Sequence, residues 1–266
     1  MLALGALSIA AAALIFGSAS PSAAQATAAA TAAPTQAVVD PTTTALIRVI
    51  HAAPDAPAID VYIDQAAAPS ITNLPFANGT DGYLTIKGGA HRLTITATGD
   101  PKTVVYDGTD TYASGTATTV IAEGLLADKS FGLRFTLDDL SPTNGKSRVK
   151  VTHAISDGPA IDLATSDFKT TLITNLAYGS SSLIDVAPGS YDLVVVPTGK
   201  QTPIVIDLTG TKLVADQIYS VFATGTLTGK VPVKPLLFIT SPVPGFTIPV
   251  APAATMAATM VATAAQ

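Results

Sequence analysis

The stretch His51-Ala-Ala-Pro-Asp-Ala-Pro-Ala-Ile-Asp-Val-Tyr-Ile-Asp64 returns further along the chain as His153-Ala-Ile-Ser-Asp-Gly-Pro-Ala-Ile-Asp-Leu163. His51 maps to His153, Asp55 to Asp157, Pro57 to Pro159 and Asp60 to Asp162, each at an offset of 102 (153 − 51). A repeat of that length means two copies of one small domain rather than a solenoid of short units.

Each copy reads as a series of short strands. In Leu46-Ile-Arg-Val-Ile-His51, Ile47, Val49 and His51 share one face, and Leu46, Arg48 and Ile50 the other. In Arg148-Val-Lys-Val-Thr-His153 the alternation puts Val149, Val151 and His153 inward and Arg148, Lys150 and Thr152 outward. Pro54, Pro57 and Pro159 then disfavour helix and mark a loop. The next strand, Ile59–Ile63, points Ile59, Val61 and Ile63 inward and Asp60 and Tyr62 outward. Folded back antiparallel on the first strand, it would bring Asp60 near Arg48, and Asp162 near Lys150, on an exposed face. Such cross-strand pairs contribute about 0.2–1 kcal/mol.

Ile71-Thr-Asn-Leu-Pro-Phe76 is matched by Ile173-Thr-Asn-Leu-Ala-Tyr178, after which copy one carries extra residues within Asn78 to Gly82. Strands follow at 83–87, 91–97, 103–107, 117–123 and 131–137, and in copy two at 183–186, 191–197, 203–208, 217–224 and 231–239. Gly, Pro, Asn and Asp turns separate them, as at Gly88-Gly89 and Pro188-Gly189. Seven or eight short strands per copy without helical periodicity indicate an all-β chain of two tandem β-sandwich domains. Their expected bounds are 45–140 and 146–240, joined by the short linker Ser141-Pro-Thr-Asn-Gly145 with limited freedom.

Both ends differ from this body. Leu2 to Phe16 is a nearly unbroken apolar run followed by Ser22-Ala23-Ala24, so residues 1–24 read as a cleaved secretory signal, although no Lys or Arg precedes the run. The run is shorter than the roughly 17–25 residues of a spanning helix. Residues 25–44 and 241–266, rich in Ala, Thr and Pro, are expected as a disordered linker and a low-complexity tail. The net charge is −5, and basic clusters that would suit nucleic acid are missing. With 0 cysteines the chain has no disulfide framework, thiolate nucleophile or cysteine-type zinc site.

The pattern Arg-Val-x-His-Ala-x-Pro-Asp-Ala-Pro-Ala-x-Asp-Val-Tyr at Arg48 to Tyr62 resembles the bacterial and archaeal domain of unknown function 4397. Asn73 to Phe76, Ala187-Pro-Gly-Ser-Tyr191 and Val221-Phe-Ala-Thr-Gly225 are similar to its other landmarks. The resemblance covers roughly residues 45 to 240 as two copies, and copy two departs at Ile155-Ser156 and Gly158. It implies immunoglobulin-like or transthyretin-like sandwiches, export or surface placement, and no established activity.

Candidate site residues are few. His51 with Asp55, and His153 with Asp157, could form an acid–base pair or contribute to a metal site. The plainer reading is that each imidazole, at the end of an inward face, satisfies its loop and pins it to the sandwich rim. The Pro-Ala-Ile-Asp segment that ends at Asp60 or Asp162 is read as structural. Asp55, Asp60 and Asp64 could offer oxygens to Ca²⁺, but their spacing matches no EF-hand loop. Ser180-Ser-Ser182 is not a nucleophile elbow, and Glu123 is the only glutamate, which leaves glycoside hydrolysis without an evident pair. Tyr62, Tyr83 and Tyr106 are candidate sugar platforms, or else cross-strand packing. Asn78-Gly-Thr80 is a weak glycosylation signal.

The expectation is a non-catalytic, secreted or cell-surface protein without cofactor, acting as an adhesion or spacer module toward an extracellular or cell-wall partner. No membrane span is expected in the mature chain. The alternative is recognition of a glycan or divalent metal through the two His-x-x-x-Asp loops.

Overall fold

Residues 39–249 are described by the computed structural model and fall in one compact unit. The expected signal, most of the 25–44 linker and the tail from residue 250 lie outside the described residues. Within them are seventeen β-strands in four sheets and no helix, hence no helix long and apolar enough to cross a membrane.

Copy one is built from β1 (Thr44–His51), β2 (Ile59–Ile63), β3 (Ile71–Leu74), β4 (Asn78–Gly79), β5 (Leu84–Lys87), β6 (Gly89–Ala97), β7 (Asp100–Tyr112), β8 (Ala117–Glu123) and β9 (Gly132–Asp138). Copy two follows with β10 (Ser147–Ile155), β11 (Ile161–Thr165), β12 (Thr171–Leu176), β13 (Ser181–Val186), β14 (Gly189–Pro197), β15 (Ile206–Leu213), β16 (Gln217–Gly225) and β17 (Lys234–Thr240). One sheet of copy one runs β4-β1-β8-β9, with β5 also on β1; the other runs β3-β2-β6-β7. Copy two repeats this as β13-β10-β16-β17 and β12-β11-β14-β15. The extra residues at 78–82 split one strand into β4 and β5, where copy two has the continuous β13.

The structure overturns the expected pairing of the first two strands. β1 lies parallel to β8, and β10 parallel to β16, while β2 and β11 cross to the opposite sheet. Pro54, Pro57 and Pro159 fall in the loops that carry the chain across. Asp60 and Asp162 therefore sit in a different sheet from Arg48 and Lys150, and the proposed cross-strand ion pairs do not form.

A second correction is larger. The supposedly exposed faces of β1 and β10 are buried, because the two sandwiches stack on each other through them. Ala45, Ile47 and Val49 enter the core of copy one, and Val149 and Val151 that of copy two. On the opposite parity, Ile50, Ile121 and Ala77 of copy one pack against Ala154, Phe222 and Leu236 of copy two. Leu46 and Ala117 meet Ile218 in the same way, together with Leu140 and Phe246. β1 and β10 are thus covered on both faces, a placement usually signalled by continuous apolar runs. The copies are joined by a core, and the short linker is not what restrains them.

Two expected boundaries also shift. Val39 packs on the Leu46–Phe246 cluster, and Asp40 accepts hydrogen bonds from the turn at Thr42 and Thr43 that leads into β1. At the other end, residues 241–249 are not free tail. Phe246 is fully buried, Leu140 exchanges backbone bonds with Val243 and Phe246, and Thr247 donates to Gly115. An aromatic side chain among tail-like residues supplied the apolar area that keeps this segment on the body.

Candidate functional site

The duplicated motif builds one loop device in each copy. β1 ends with His51 fully buried, and the chain turns at once through two prolines. His51 Nδ1 accepts the Ala53 N–H at 3.3 Å, so Nε2 carries the proton and donates to the Pro57 carbonyl at 2.9 Å. His153 does the same with Ile155 N–H at 3.3 Å and Pro159 O at 2.8 Å. Phe76 and Tyr178 each meet their imidazole edge-on, at centroid distances of 6.2 and 6.0 Å. Burial lowers both histidine pKa values, and the bond to the proline carbonyl opposes this only in part. Both rings are neutral near pH 7, with each nitrogen engaged by backbone.

The aspartates of the motif face elsewhere. Asp55 accepts the N–H groups of Leu126 and Ala127, both at 2.9 Å, and so ties the first crossing loop to the loop between β8 and β9. Asp157 holds Leu227 and Thr228 of the β16–β17 loop at 2.6 and 2.8 Å. The secured loops start at Gly124 and Gly225, with φ of +83° and +100°. A Cβ there would sit 2.3 Å from the Ser130 carbonyl oxygen and 2.5 Å from that of Pro232. Asp60 accepts from Asn73 N, Thr98 Oγ1 and Gly99 N, and Asp162 from Asn175 N, Thr198 Oγ1 and Gly199 N. Those bonds lower both carboxyl pKa values despite the opposing effect of desolvation. Asp60 and Asp162 thereby fasten a turn in which Asn73 and Asn175 adopt left-handed φ of 48° and 52°.

His51 and Asp55, like His153 and Asp157, are therefore separate staples and not acid–base pairs. The Ca²⁺ trio does not converge either: Asp55 holds residues 126–127, Asp60 the 73 and 98–99 turns, and Asp64 the His91 ring and Arg92 N–H. Among the described residues, no three His, Cys, Asp or Glu side chains gather as a metal would need. Ser181 bonds Thr152 across β13 and β10 at 2.9 Å, and Asn78 is exposed on β4. Tyr62 and Tyr106 are half-buried. Tyr83 is no platform, because its hydroxyl donates to Asp138 at 2.9 Å and its face carries the Arg48 guanidinium at 4.8 Å.

That contact belongs to a charged cluster between the copies which the sequence reading missed. Asp138, at the end of β9, receives Lys150 Nζ at 2.7 Å on one oxygen and Tyr83 and Thr119 hydroxyls on the other. Arg48 lies 3.6 Å from the same carboxylate and donates to Thr119 and, across the junction, to Ser220 at 3.1 Å. The rings of Phe222 and Phe238, 5.5 and 5.2 Å from the guanidinium, cover it from copy two. Exposure is 1% for Arg48, 4% for Lys150 and 3% for Asp138. Two cations thus share one carboxylate, and burial is the dominant cause of a lowered Lys150 pKa. The available signal was that Arg48 and Lys150 occupy the same position in the two copies, on the same face.

A polar cleft of about 410 Å³ lies at the junction, lined by Glu123, Leu125, Asp128, Ser130, Gly132, Leu133, Ser156 and Tyr178. Arg134 pairs with Glu123, whose pKa burial raises, and stacks 6.0 Å from the Tyr178 ring. Arg134 Nε and Nη1 and Ser156 Oγ are buried without a hydrogen-bond partner.

These features define a class: a duplicated β-sandwich whose loops are stapled by a buried histidine and two aspartates per copy. The chain belongs to the family described as a domain of unknown function, DUF4397, whose model matches residues 45–164 and again residues 147–244. Among solved structures, the C-terminal domain of AlgF from P. aeruginosa is 20% identical, covering 36% of this chain and 100% of its own at a TM-score of 0.30. A candidate cell adhesion protein from Bacteroides uniformis is 11% identical, covering 75% of this chain and 98% of its own at a TM-score of 0.24. Another from Bacteroides fragilis is 10% identical, covering 77% and 100% at a TM-score of 0.20. Likenesses of this size carry no structural or functional argument. No curated protein matches the chain by sequence.

Proposed function

We propose that this protein is an exported, non-catalytic surface module in which two fused β-sandwiches form one stiff spacer or adhesion element. The observation that carries this reading is the commitment of the motif side chains. Both nitrogens of each motif histidine, and both oxygens of Asp55, Asp60, Asp157 and Asp162, are bonded within the fold. Residues held this way serve to keep loops in place. The buried junction supports the mechanical part, since a core shared between domains resists the relative motion that polar interdomain surfaces allow. Pull-down of the full chain on cell-wall material and a polysaccharide panel, with and without Ca²⁺, tests it. A spacer shows no saturable binding.

The polar cleft favours a second reading, recognition of a small polar ligand such as a sugar, because Ser156 in its lining carries a buried hydroxyl without a partner beside Glu123, Asp128 and Tyr178. Saturable binding that Tyr178→Ala abolishes without changing the melt establishes this reading and refutes the first.

A further inference from the structure

The two copies share a topology but not a filled interior. In copy one, Tyr112 stands opposite Gly89 at the end of β7, and Phe135 stands opposite Val120 on β9. Their rings meet edge-to-face at 6.3 Å and close the space between the sheets. The registers of copy two place Leu213 opposite Gly189 and Leu237 opposite Val221, so both rings are replaced by leucine. Tyr219, which takes the place of Thr118, returns one ring, held by the Val214 N–H on its hydroxyl at 2.8 Å. The covering strand is also shorter, since β7 has 13 residues and β15 has 8. What remains is a cavity of about 250 Å³ between the sheets of copy two, with Val149, Val151, Leu163, Val195, Leu208 and Leu237 among its walls. Thr211 and the Tyr219 hydroxyl are the polar side-chain groups of its lining.

Both edge strands contribute to the cavity walls, β15 through Leu208, Thr211 and Leu213 and β17 through Pro235 and Leu237. Leu237 and Ile239 have the parity of side chains directed into the sandwich, yet they are 53% and 58% exposed. Their alternates Leu236 and Phe238 cover copy one instead. Edge strands with bare apolar side chains are a liability unless something occupies them. An apolar cavity of roughly 150 Å³ takes one benzene ring, so this one has room for about ten carbon atoms. Walls without charge and a mouth open to water suit an amphiphile, with its hydrocarbon inside and its head group in solvent.

We propose that the interior of copy two is a binding site for a medium-length acyl chain, entered between β15 and β17. The site is independent of the spacer reading and of the polar cleft. It is tested by calorimetric titration of the full-length protein with decanoate, alongside the variant Leu237→Phe, which restores one ring of copy one at a position already half in solvent. The wild type should give saturable heat with a negative heat-capacity change, and the variant should bind about tenfold more weakly or worse with an unchanged or raised melting temperature. In the converse variant, Tyr112→Leu with Phe135→Leu, stoichiometry should rise from one toward two. Flotation with phosphatidylcholine vesicles distinguishes the source: capture lost in Leu237→Phe assigns the chain to membrane lipid, and decanoate binding without capture assigns it to a free acid. Absence of heat in the wild type, or equal affinity in Leu237→Phe, overturns the proposal. So does a dimer that Leu237→Phe dissolves while decanoate gives no heat, which would make a second copy the occupant.

Discussion

Replacing Asp138 by asparagine removes the only negative charge from the cluster between the sandwiches while preserving its shape. Lys150 and Arg48 then remain buried as two uncompensated cations, and the amide nitrogen confronts donors that had faced a carboxylate oxygen. Breaking a buried pair from one side costs about 3–5 kcal/mol, and for a unit of this size each kcal/mol lowers the melting temperature by about 2–4 °C. A drop of about 6–20 °C is expected. The chain has 0 Trp, so the transition is followed by far-UV circular dichroism and by the fluorescence of its 7 Tyr. The loss should carry a pH signature. Lys150 already has a lowered pKa from burial, which Asp138 opposes, and removing Asp138 lowers it further. Between that value and the unfolded value near 10.4 the unfolded chain binds more protons, so stability rises with pH, and Asp138→Asn should recover part of its deficit as the pH is raised toward about 10. The triple variant Arg48→Met, Asp138→Leu, Lys150→Met should return to wild-type stability or exceed it, because a well-packed apolar replacement avoids the desolvation cost. A loss below about 1 kcal/mol in Asp138→Asn would put the pair in the range of exposed ion pairs and refute a dry junction.

Other consequences follow from the same geometry. His51→Ala should cost about 1–3 kcal/mol in chemical denaturation, because the Pro57 carbonyl and Ala53 N–H lose their partner, and His153→Ala should behave alike; a negligible loss would mean the ring is not what pins the loop. Both histidine pKa values are lowered by burial, so below about pH 6.5 the unfolded state gains protons that the fold refuses, and stability falls on acidification by up to about 1.4 kcal/mol per pH unit per ring. Glu123, whose pKa is raised, acts in the opposite sense, and Asp60, Asp157 and Asp162, whose pKa values are lowered, lose their contribution at lower pH; removing both histidines should therefore flatten the fall near pH 6 and leave the steeper loss in the carboxylate range. Gly79→Ala places a Cβ 2.4 Å from Ile50 and 2.7 Å from the Phe238 ring of copy two, and about 1–3 kcal/mol of overpacking should appear in the melt.

The strands were legible because each needs only local information. Alternation marked β1, β2 and β10, and Gly or Pro turns marked their ends, so the all-β class and the duplication could be read from the residues. Pairing was not legible at that range. Nothing between His51 and Ile59 says whether a proline loop returns to its own sheet or crosses to the other, and the hairpin assumption gave Asp60 and Asp162 the wrong partners. Of the motif, the inward phase of both histidines was visible from parity, while the targets of Asp55 and Asp157 lie about seventy residues away.

The junction between the copies shows why surface and interface can look alike in sequence. In copy two the outward parity of β10 reads Arg148, Lys150, Thr152, which is what a solvated strand face would carry, and the pattern of β16 had to be weighed against it. There Ile218 and Phe222 have outward parity while Tyr219 and Val221 have inward parity, so the strand is apolar on both faces and needs cover on both. Copy one gives the same sign with Leu46 and Ile50 flanking Arg48. A charged residue between two such side chains is better read as a buried charge awaiting a partner than as evidence of solvent. Here the partner, Asp138, comes from a strand whose counterpart in copy two ends in Thr240. Duplication produced two equivalent faces with a cation at the centre of each, Arg48 and Lys150, and only one copy supplies the carboxylate that both cations share.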